Sequence, residues 1–106
     1  MWHPALLTTL RVGEMMEIEK VIYALEETIL YLKKSQSSDW APMPVEEAIR
    51  RLEAEVVKAR NAKPMDVNFL DRVFAPTGIL QEISIDNGWG TKFLHISEVI
   101  DQFTTN

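Results

Sequence analysis

Cysteine is absent from this chain. That excludes a disulfide scaffold, a thiolate zinc site, an iron–sulfur cluster and a cysteine nucleophile. Glycine occurs four times and proline five times in 106 residues, too seldom for a collagen-like or linker-like chain. No apolar run approaches the roughly 18 residues that a membrane span needs. The first ten residues, Met1 to Leu10, lack the basic n-region and long apolar core of a signal peptide, so a cytosolic location is expected. Basic residues are the minority, eleven against sixteen acidic ones, for a net charge of −5. Residues 1–60 hold eight basic and ten acidic groups, and residues 61–106 hold three and six. Neither half has the positive field that draws a protein to a phosphate backbone or an anionic membrane.

What is present describes an ordinary folded domain. A mass of 12.2 kDa is the size of one domain, with 46% hydrophobic and 25% charged residues. Met15 and Met16 suggest that residues 1–13 are an N-terminal extension, holding at most one short helix from Ala5 to Val12 between Pro4 and Gly13. Residues 14–103 then form a single helical domain, and Thr104-Thr105-Asn106 a frayed tail.

Apolar periodicity sets the helices. Ile18, Ile22, Leu25, Ile29 and Leu32 recur at spacings of 4, 3, 4 and 3, which predicts a helix over 14–34 about 30 Å long, flanked by Val21, Ala24 and Thr28. After a polar connection, Val45, Ile49, Leu52, Val56 and Ala59 repeat that spacing in a helix opening at Pro44. Glu46–Arg50 and Glu47–Arg51 are expected as i,i+4 ion pairs along it. Pro64 ends that helix, and Asp66 caps a short one over 67–74 with Val67, Leu70, Val73 and Phe74 inward. Residues 79–86 fit either a strand or a helix, and a helix is favoured because no strand partner is visible. Gly88 suits a left-handed helix cap. Phe93, Ile96, Ile100 and Phe103 mark a last helix over 91–103, with Leu94, Val99 and Trp89 as fillers. The expected fold is all-α, an antiparallel helical hairpin plus shorter helices in a small bundle.

Catalytic patterns do not emerge. His95 and Glu98 stand at i,i+3 but lack further ligands, so His95 is read as solvent-exposed. No serine sits in a nucleophile elbow, and Gly88-Trp89-Gly90 is too short for a phosphate cradle. Asp86-Asn87-Gly88 is explained by turn chemistry, since the remaining calcium ligands are missing. Glu26–Glu27 and Glu53–Glu55 are read as solvated faces. No cofactor, no metal and no enzymatic activity are expected.

The remaining interest lies in aromatic residues beside acids. Two explanations compete for Trp40 and Trp89: each closes an end of the core, which is the commoner role, or each anchors a basic partner. On the second, the partner-binding residues are Asp39, Trp40, Asp86, Asn87 and Trp89. Tyr23 and Tyr31 lie off the main stripe and invite the same two explanations.

The block from Phe74 through Ala-Pro-Thr-Gly-Ile-Leu-Gln-Glu-Ile-Ser-Ile-Asp-Asn-Gly-Trp to Gly90 resembles, over residues 69–95, segments of small uncharacterised bacterial helical proteins, including immunity proteins that neutralise toxins. Small size, a net charge of −5, no cysteine, no catalytic constellation and a helical scaffold lead to the expectation of a non-enzymatic immunity- or inhibitor-type protein that occludes a basic toxin or effector. The resemblance adds a little to that reading and assigns no functional residue. The alternative is a self-associating helical protein, with Tyr31, Val57 and other off-stripe apolar residues buried across a two-fold axis.

Overall fold

The computed structural model describes residues 12–37, 42–76 and 78–105, and among them all regular structure is helical. In chain order the helices are α1 (Val12–Lys33), α2 (Val45–Arg60), α3 (Val67–Phe74), α4 (Ile79–Asp86) and α5 (Gly90–Thr105). The all-α fold expected from periodicity is the one observed, with the ambiguous segment 79–86 helical.

Helix α1 is the spine. It packs against α2 on one side and α5 on the other. Both neighbours run antiparallel to it: Glu26 meets Arg60 near the end of α2, while Glu27 meets Lys92 near the start of α5. Two neighbours explain why the buried surface of α1 is wider than one stripe. Leu25 and Leu32 are fully buried as expected, but so are Val21 and Thr28, with Ala24 and Ile29 nearly so, whereas Ile18 and Ile22 are only half-buried. The Thr28 hydroxyl is accommodated by donating to the Ala24 carbonyl at 2.8 Å. Leu52 of α2 and Ile100 of α5 are likewise fully buried, and α3 and α4 pack against α5 and each other.

The helix ends follow local chemistry. Pro44 has no side-chain oxygen to cap α2, and Ser37 Oγ accepts from the Val45 N–H at 3.0 Å instead. Asp66 caps α3 through the Phe69 N–H at 3.0 Å. At the end of α4, Gly88 has φ +82°, its N–H reaches the Ile85 carbonyl, and the Trp89 N–H reaches Ser84 at 2.8 Å. This is a Schellman cap. The end of α2 repeats the pattern with a less suited residue: Ala62 sits at φ 55°, and the Lys63 N–H bonds the Lys58 carbonyl at 2.9 Å.

Several expectations need correction. Helix α1 begins at Val12, two residues before its expected start, so Gly13 lies within its first turn. Of the short helix expected from Ala5 to Val12, residues 5–11 lie outside the described residues. Thr104 and Thr105 are helical, and both hydroxyls donate to the Asp101 carbonyl, at 3.3 and 2.7 Å. On α3, Val67 is exposed and Phe69 is buried, because Phe69 turns toward α2 and lies under the Arg51 guanidinium, 4.1 Å from the ring centroid. That contact removes Arg51 from its expected pairing, and Glu47 meets Arg50 at 3.6 Å, one residue closer than expected. Leu94 faces solvent instead of filling the core.

Glu55 is the largest departure. Expected on a solvated face, it is 4% exposed. Its Oε1 accepts from the Asp66 N–H at 2.7 Å and its Oε2 from Lys58 Nζ at 2.8 Å, which satisfies the buried charge. Glu55 therefore anchors the residue that caps α3, a task assigned by the path of the 61–66 connection.

Candidate functional site

The aromatic–acidic residues expected to bind a partner do not form one exposed site among the described residues. Asp39 and Trp40 lie outside them. Trp89 is interior: it is 6% exposed, its ring stacks on Tyr31 at 5.0 Å between centroids, and Phe93 meets it edge-on at 6.4 Å. The indole N–H donates to Ser35 Oγ at 2.9 Å, and that hydroxyl donates onward to the Tyr31 carbonyl at 2.8 Å. Of the two explanations open for Trp89, the one that holds is closure of the core where α1 and α5 meet, since its hydrophobic area and its one donor are both consumed internally.

Asn87 has an equally internal task. Its Oδ1 accepts from the Gln36 N–H at 3.0 Å, while its Nδ2 donates to the Gln36 carbonyl and to the Ile83 carbonyl, each at 2.9 Å. One side chain thereby ties the α4–α5 turn to the chain leaving α1. Asp86 alone of the described candidates remains exposed.

Grooves between helices supply the surfaces that these residues do not. The α1–α5 groove holds about 590 Å³ above Ala24, Ile96 and Val99. Exposed Tyr23 and Met16 flank it, and its charges are mixed: Glu19 and Glu27 against Lys20 and Lys92, with His95 beside them. Glu27 holds Lys92 at 3.2 Å, and that hydrogen bond and charge push the lysine above its ordinary pKa. His95 is exposed, and no three His, Asp or Glu residues among the described residues are placed to hold a metal ion.

The α3–α5 groove is smaller and of one sign. It holds about 280 Å³ over Phe74, Pro76 and Ile100, and its charged lining is Asp71, Glu98 and Asp101, with no basic residue. Glu98 lies near the middle of α5 and Asp101 about one turn from its end, both exposed, so with Asp71 they give the groove a single sign of charge.

No family model matches the chain, and neither a curated protein nor a solved structure matches it.

Sequence reasoning missed both grooves because their walls come from segments far apart in the chain. Residues 71–76 and 97–104 meet only when α3 crosses α5, as do 16–27 and 92–99 when α1 and α5 lie antiparallel. The available signal was the run of acids without bases after Lys92, namely Glu98 and Asp101.

Proposed function

We propose that this chain is a non-enzymatic acidic binding protein of the immunity or inhibitor type, which occludes a basic protein partner, a toxin or effector, in the bacterial cytoplasm. The observation that carries the reading is the α3–α5 groove, with three carboxylates and no cation around an apolar floor. A lysine or arginine side chain suits such a groove, with its aliphatic stem on Phe74 and Ile100 and its charge among Asp71, Glu98 and Asp101. A net charge of −5 adds attraction at long range and speeds encounter with a basic surface. The resemblance of residues 69–95 to immunity proteins covers the α3 wall of this groove, Asp71 to Pro76, and not its α5 wall. No helix among the described residues is long and apolar enough to cross a membrane.

The test is affinity capture from the native host with the wild type and the Asp71→Asn/Glu98→Gln/Asp101→Asn variant. All three positions are solvent-accessible, so the variant should keep the wild-type circular dichroism. One stoichiometric basic protein, retained by the wild type and lost from the variant and at high salt, is the expected result. Equal retention by both proteins, or recovery of the bait alone, would refute the reading.

A further inference from the structure

We propose that the open face of the α1–α2 hairpin pairs with the same face of a second copy of this chain across a two-fold axis. This surface is separate from the acidic groove and stands or falls without it. Helix α2 packs closely against α1 and against no other helix to a comparable extent, so the outer side of the hairpin is left open. Leu30 and Val57 stand side by side there, 60% and 58% exposed, over a groove of about 320 Å³ floored by Ile29 and Val56. Val57 was the residue expected at such an interface. Tyr31, named with it, instead stacks on Trp89 on the α5 side.

Charge identifies the occupant. At one end of the apolar centre, Glu26 of α1 meets Arg60 of α2 at 2.8 Å. At the other end lie Lys33 of α1 and Glu53 of α2, and neither forms an ion pair within the described residues. Each helix therefore carries one charge of each sign, in opposite order. A two-fold axis running along the helices sets Lys33 against the partner's Glu53 and Glu26 against the partner's Arg60. An axis across the helices sets Lys33 against the partner's Glu26 and Glu53 against the partner's Arg60. Opposite charges meet in both cases, and Leu30 covers the partner's Val57 in the first and the partner's Leu30 in the second. A uniformly acidic or basic protein would instead meet like charge at one or other position, which favours a second copy as the isologous partner.

Sedimentation velocity of the full chain from micromolar to millimolar concentration tests the proposal. The wild-type mass is expected to rise from 12.2 kDa toward twice that value. Leu30→Glu and Val57→Glu are each expected to hold it at the monomer value with unchanged circular dichroism, because both side chains are exposed and leave the core intact. Lys33→Glu should weaken the dimer. Adding Glu53→Lys restores it if the axis runs along the helices, and adding Glu26→Lys restores it if the axis runs across them. A monomer at every concentration, or a dimer indifferent to both Leu30→Glu and Val57→Glu, would overturn the proposal. Either result leaves the α3–α5 groove reading intact, because that one is decided by capture of the basic partner.

Discussion

Trp89 separates a core role from a binding role, and its replacement has a magnitude that the structure sets. A buried indole removes about 150–250 Å² from water, worth about 4–6 kcal/mol at 25 cal/mol per Å², an upper bound because the unfolded chain already buries part of that surface. The stack on Tyr31 at 5.0 Å and 14° adds about 0.5–1.5 kcal/mol, and the hydrogen bond to Ser35 about 1 kcal/mol. Trp89→Ala should therefore destabilise the fold by about 3–5 kcal/mol. Trp89→Phe keeps most of the apolar volume, loses the N–H donor, and should lose about 1–2 kcal/mol. Urea unfolding followed by far-ultraviolet circular dichroism is the assay, because Trp2 and Trp40 would complicate fluorescence. A double-mutant cycle with Tyr31→Leu should return a coupling of about 0.5–1.5 kcal/mol. A loss below about 1 kcal/mol for Trp89→Ala would refute the argument, since no residue closing the core at this position could be removed so cheaply.

Two further outcomes follow from the connection between α2 and α3. Glu55→Ala strips the Asp66 N–H of its partner and loosens the cap of α3, so unfolding in urea should show a loss of about 1–3 kcal/mol, far more than an exposed glutamate would give. Ala62→Gly relieves a left-handed alanine at φ 55° in the cap of α2 and should raise stability by about 0.5–1 kcal/mol, read as a higher urea midpoint at unchanged slope.

Local periodicity and chain punctuation were enough to determine the helices. Repeats such as Val45–Ile49–Leu52–Val56 admit one period, Asp66 and Gly88 mark ends through chemistry confined to a few residues, and the absence of paired strands made 79–86 helical. Tertiary structure decided which faces those helices present. Tyr31 and Trp89 are 58 positions apart and Asn87 and Gln36 are 51 apart, so no local pattern could show that they meet. Glu55 looks like any surface glutamate until the 61–66 connection folds back and offers it the Asp66 N–H. The grooves are products of packing in the same sense, because their walls belong to different helices. A side chain's intrinsic preference sets its conformation one turn at a time, whereas its burial and its partners depend on which distant helix comes to lie against it.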